Sequence, residues 1–99
     1  MLALVKRVSL SPEVIDFPKK NFLRKAQELV GGYIETLIMH TDYGSFVVIC
    51  NEDGRMLKLK KNCIIDGVDF VGDILITGFG ESEFEDVPES VIQYMERNL

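Results

Sequence analysis

The sequence predicts an α+β domain: a mainly antiparallel sheet of about four to five strands carrying two helices, in the order β-α-β-β-β-β-α. Three observations predict it. Two segments, one in the first third and one at the end, repeat apolar residues at helical spacing. Between them "FVVIC" and "DILITGF" are short apolar runs of strand length. "NEDG", Gly67 and Gly72 punctuate the same region with turn chemistry. With 99 residues, 46% apolar and 27% charged, residues 1–99 make a single domain with one core and little interior left for a deep pocket.

"LALVKRV" reads as a short first strand, followed by the proline-containing connection "SLSPEVIDFP". After Pro18, the residues Phe22, Leu23, Ala26, Leu29 and Val30 share one helical face, and Gly31 or Gly32 supplies the left-handed stop. "YIETLIM" is the next strand, with Ile34, Thr36 and Ile38 on the more consistently apolar face, expected to point inward. "HTDYGS" is polar and is expected to connect it to the central strand "FVVIC". The "NEDG" turn then leads to a half-exposed strand in which Leu57 and Leu59 face one way and Met56, Lys58 and Lys60 the other. Gly67 and Gly72 bend the chain around a short strand or loop, and "DILITGF" is the last strand. In the final helix Pro88 suits the first turn, Asp86 and Glu89 suit the positive end of its dipole, and Val91, Ile92, Met95 and Leu99 form the apolar stripe.

The net charge of −5 conceals a split. Residues 1–62 hold ten basic and seven acidic side chains, whereas residues 63–99 hold Arg97 alone against nine acids. Overall acidity argues against general nucleic-acid binding, which depends on neutralising phosphates, while the acidic final third suits a basic partner surface. The five apolar residues that open the chain are too few for a signal core or a membrane span, so a cytoplasmic protein is expected. Cys50 and Cys63 lie thirteen positions apart, and with one histidine they offer no zinc spacing. Both are expected to be free thiols, Cys50 buried in its apolar run.

No catalytic constellation stands out. His40 is the only imidazole, and Ser82 in "GESEF" has Phe84 where a nucleophile elbow needs glycine. "ITGFGES" begins like a phosphate-binding glycine turn, but Glu83 occupies the third glycine position and Glu81, Glu83 and Glu85 would repel a pyrophosphate, so a structural turn is the better reading. Asp66, Asp69 and Asp73 do not follow a calcium-loop pattern and read as solvated loop residues; no metal and no cofactor is expected. Arg55, Lys58, Lys60 and Lys61 could hold a phosphate, with His40, Asp42 and Tyr43 adding hydrogen bonds and stacking. Lysines guarding an ordinary strand edge would look the same.

Together "ELVGGYIET", "VVICNEDGRML", Asn62 and "VGDILITG" form a pattern over residues 28–80. It resembles a small, largely uncharacterised domain family of bacteriophages and conjugative elements. The resemblance assigns no catalytic residue. It implies an accessory or counter-defence factor, and it implies that the "NEDG" turn and Asn62 belong to the framework. The first eighteen residues and the acidic tail lie outside it. The leading expectation is therefore a non-enzymatic protein that inhibits a host protein such as a bacterial anti-phage effector, in the manner of an anti-CRISPR. It would act in the host cytoplasm through Glu81, Glu83, Glu85, Asp86 and Glu89, carboxylates able to imitate nucleic-acid phosphates. The alternative is a sponge that sequesters a nucleotide signal at the basic edge or at an oligomer interface.

Overall fold

The sheet has six strands where about four to five were expected, a separate hairpin brings the strands to eight, and the two helices form as expected; the computed structural model describes residues 1–99. The strands are β1 (Leu2–Lys6), β2 (Glu13–Asp16), β3 (Ile34–Thr41), β4 (Gly44–Asn51), β5 (Lys61–Ile65), β6 (Val68–Val71), β7 (Ile74–Phe79) and β8 (Phe84–Glu85). The helices are α1 (Phe22–Val30) and α2 (Glu89–Asn98). The main sheet runs β2-β1-β7-β4-β3, with β8 paired to the end of β7, while β5 and β6 form a separate hairpin. All pairings are antiparallel. The fold is thus α+β, as the sequence implies.

The apolar runs occupy the middle of the sheet because both of its faces are covered. Ile76 of β7 lies between Leu4 of β1 and Val48 of β4. Alternation then sends Leu4, Phe46, Val48, Ile74 and Ile76 to one face, where Val91, Ile92 and Met95 of α2 and Ile65 and Phe70 of the β5–β6 hairpin complete the larger core. Ala3, Val5, Val47, Ile49 and Leu75 face the other way, onto Phe17 and Ala26. One helix therefore covers each face.

Helix α1 ends as predicted. Gly31 is left-handed (φ 81°) and its N–H donates to the Gln27 carbonyl at 2.8 Å, as does that of Gly32 at 3.1 Å. Pro88 sits one step earlier than expected, at the N-cap of α2, and its carbonyl accepts from Val91 and Ile92.

Several sequence readings are corrected. The connection after β1 contains β2, a four-residue edge strand bracketed by Pro12 and Pro18. "HTDYGS" is no loop: His40 and Thr41 finish β3, Gly44 and Ser45 begin β4, and only Asp42 and Tyr43 turn. The Lys58 segment is a coil of turns, with Lys58 itself left-handed (φ 55°). Leu59 there nestles against Gly54 and Gly72, contacts that a straight strand would forfeit. The inward face of β3 is also misjudged. Its edge position leaves Thr36 and Ile38 exposed, while Met39 on the opposite face is buried.

Cys50 and Cys63 are free and half-buried, so Cys50 is less enclosed than its neighbours suggested. Burial pushes both thiols above the ordinary 9.0 and pushes the Tyr43 hydroxyl above 10.0. A group that holds its proton more tightly when folded contributes fully below its unfolded pKa, and the contribution is lost as pH rises through the folded value. The unfolding free energy, read by urea titration, is therefore expected to decline as pH rises above 9.0. A Cys50→Ala/Cys63→Ala variant should show a shallower decline; identical slopes would show that the thiols do not contribute.

Candidate functional site

The acidic segment is built onto the sheet rather than trailing from it. After Phe79 the chain turns through Gly80, whose N–H donates to the Glu83 carbonyl at 2.8 Å, so "ITGFGES" is a structural turn as read. The chain then folds back as β8, pairing Phe84 with Phe79 and Glu85 with Gly78. A Cβ at Gly78 would collide with the Asp86 carbonyl oxygen, so this close return requires glycine. Asp86 accepts the Leu2 N–H at 2.8 Å through Oδ1, and the Val87 N–H donates to the Leu2 carbonyl at 2.9 Å. Phe84 stacks on Phe22 of α1 (centroids 4.7 Å apart), and Phe22 meets Phe17 edge-on at 5.3 Å.

This anchoring places the five acidic candidates unequally. Glu81, Glu83, Glu85 and Glu89 are exposed and make no ion pair, for the protein's two ion pairs join the Met1 ammonium to Asp16 and Arg7 to Asp73. Asp86, although exposed, is committed to holding β1. Beside the turn, on the part of the sheet that α1 leaves open, lies a groove of about 270 Å³ whose walls include Ile38, Val47, Phe79 and Phe84, with Ser82 and Glu83 on its rim. His40 lies across Phe79, its ring centroid 6.1 Å away, and its Nδ1 is 2.9 Å from the Ser45 hydroxyl. An apolar floor with an acidic rim suits a partner presenting lysine or arginine around an apolar side chain.

The residues of the nucleotide reading are not brought together. His40, Asp42 and Tyr43 cluster at the β3–β4 turn, whereas Arg55 follows the other end of β4, about 23 Å away for a strand of this length. Tyr43 is already stacked on Tyr94 (centroids 3.7 Å apart, planes 6° apart), so its ring is not free for a base. The cleft beside Arg55, about 390 Å³, has no lysine in its walls. Its walls carry Glu35, Glu52 and Asp69, and the Arg55 guanidinium donates to the Asp69 carbonyl at 2.6 Å. Lys58, Lys60 and Lys61 lie exposed outside it. An anion entering there would meet carboxylates first.

Two asparagines do framework work. Asn51 Nδ2 donates to the Val30 carbonyl at the end of α1 (3.1 Å), and its Oδ1 accepts the Asp53 N–H (2.8 Å). Asn62 Nδ2 donates to the Lys6 and Gly72 carbonyls, each at 2.7 Å, and its Oδ1 accepts from Lys6 Nζ at 2.9 Å. Lys6, only 5% exposed, completes this network through the Arg7 carbonyl at 2.9 Å. Asp73, read as a solvated loop residue, instead accepts from the Val8 N–H and pairs with Arg7. No three histidine, cysteine or carboxylate side chains converge as metal ligands, and no helix is long and apolar enough to cross a membrane. Sequence reasoning missed the Phe17–Phe22–Phe84 cluster and the groove beside it, because their residues are far apart along the chain.

These features define a small α+β domain with a pre-built acidic turn beside an open apolar strip of sheet. The chain belongs to the family described as Domain of unknown function (DUF3846), which matches it over residues 1–99. The family therefore includes the first eighteen residues and the acidic tail, which the resemblance read from residues 28–80 left out. No curated protein and no solved structure matches the chain.

Proposed function

We propose that this is a non-enzymatic binding protein of phage or mobile-element type that inhibits a bacterial host protein, an anti-phage defence effector of the kind that handles nucleic acid. One observation carries the reading: Glu81, Glu83 and Glu85 stand unpaired on a turn held in place by β8 and the phenylalanine cluster, and Glu83 lies at the rim of the Ile38–Phe79–Phe84 groove. A rigid array of carboxylates can stand in for phosphates against a basic groove without a large ordering penalty, and the apolar floor adds affinity that free phosphates lack.

The test uses the chain and its Glu81→Lys/Glu83→Lys/Glu85→Lys variant as paired baits in bacterial lysate at low and high salt. A protein held by the parent at low salt, released by salt and lost from the variant is the expected result. Against that protein, once purified, the variant should bind at least about tenfold more weakly and with a flatter salt dependence. Equal capture by both baits would refute the acidic-surface mechanism.

A further inference from the structure

The two edges of the sheet are not alike. Edge strand β2 is four residues long, bracketed by Pro12 and Pro18, and carries Glu13 and Asp16. Those are the usual protections of a strand edge. Edge strand β3 is eight residues long and contains no proline, lysine or arginine. Large apolar side chains crowd it: Tyr33 is 70% exposed, Ile38 54% and Leu37 37%, and Met56, 75% exposed, shares the cleft beside Leu37. Glu35 is the one carboxylate of β3, so the longer edge is guarded more thinly than the shorter one.

The hydrogen-bond pattern of β3 determines what can pair with it. The two-residue turn makes Thr41 and Gly44 a hydrogen-bonded pair, and at the other end the Tyr33 carbonyl accepts the Glu52 N–H at 2.8 Å. Alternation then turns the main-chain groups of Leu37 and Met39 inward to β4, and those of Ile34, Thr36, Ile38 and His40 outward.

We propose that this edge is a dimer interface, at which a second copy of the chain adds its own β3 antiparallel with the two-fold axis at Leu37. That register alone pairs all four outward-facing residues, Ile34 with His40 and Thr36 with Ile38, for about eight interchain hydrogen bonds. On the opposite face it sets Leu37 against Leu37 and Glu35 against Met39. No like charges are opposed. Sliding the centre two residues to Glu35 would oppose the two carboxylates and leave outward groups unpaired. The axis runs perpendicular to the sheet, so both Ile38–Phe79–Phe84 grooves fall on one face of a continuous ten-strand path. The inference does not depend on the partner proposed above, because it is tested on the purified chain alone.

Sedimentation velocity of the full chain from about 1 µM to 1 mM spans the affinities expected of an interface built on one strand. The expected result is a mass that rises to twice that of the monomer. Ile38→Lys and Thr36→Lys, both at exposed positions, should each move the midpoint upward by at least about tenfold, while Val14→Lys on β2 should leave it in place. Far-ultraviolet circular dichroism checks that the variants fold. Hydrogen exchange adds an independent readout: the Thr36, Ile38 and His40 amides should gain protection with concentration, whereas Leu37 and Met39 should be protected throughout. A monomer at every concentration would overturn the proposal, even if β3 took up a strand from a different protein. So would a dimer indifferent to both β3 substitutions.

Discussion

Replacing Asn62 by leucine is expected to remove about 3 kcal/mol of stability, a change of more than about a hundredfold in the folding equilibrium. The side chain is roughly isosteric, so the effect isolates polar chemistry. Its loss takes the Asn62 amide donor from the Lys6 and Gly72 carbonyls and removes one of the two acceptors from the Lys6 ammonium. Lys6 has no carboxylate partner, so its charge rests on two neutral oxygens. An orphaned buried polar group costs about 1–3 kcal/mol; water reaching this part-buried site limits the sum. Urea denaturation measures the change. Paired with Lys6→Met in a double-mutant cycle, Asn62→Leu should show a coupling of about 1–2 kcal/mol, since the two residues share a bond. A loss below about 1 kcal/mol would mean that water replaces the amide and that the network is ornamental.

Gly78→Ala is expected to lower stability by about 2–3 kcal/mol and to loosen the acidic turn in particular. The obstacle to the new methyl group is the Asp86 carbonyl, which is backbone, so it cannot swing aside as a side chain would. Relief requires β8 to lift from β7, and that motion strains the Asp86 and Val87 bonds to Leu2. Hydrogen exchange at Gly80 and Val87 should accelerate more than exchange at Ile76 in the sheet centre. Uniform acceleration would show that the turn and the sheet open as one unit.

The parts of the fold visible in the sequence are those with strong local periodicity. Val91, Ile92 and Met95 announced α2, Ala26 and Val30 announced α1, and the apolar runs of β4 and β7 proved to be central strands. Readings failed where tertiary contacts decide. Leu57 and Leu59 alternate with lysines as a strand would, yet the seat for Leu59 between Gly54 and Gly72 bends the segment away. Pro12, Pro18 and the charges of β2 hid a strand, because an edge tolerates what a sheet centre does not. The acidic residues of the candidate site were plain from composition. The groove beside them was not, since Ile38, Phe79 and Phe84 meet only after β3, β7 and β8 are in place.

The position of β7 between β1 and β4 has a consequence for synthesis. Until residues 74–79 leave the ribosome, the growing chain holds its main sheet as two separate hairpins, β1–β2 and β3–β4, each with one long unpaired side awaiting the same late strand. Ile74 through Phe79 act as a keystone, and most of the sheet's long-range closure is postponed to its arrival. The two halves of the main sheet stay open toward each other from the emergence of β4 until β7 arrives, so the chain's stickiest interval falls between those two events.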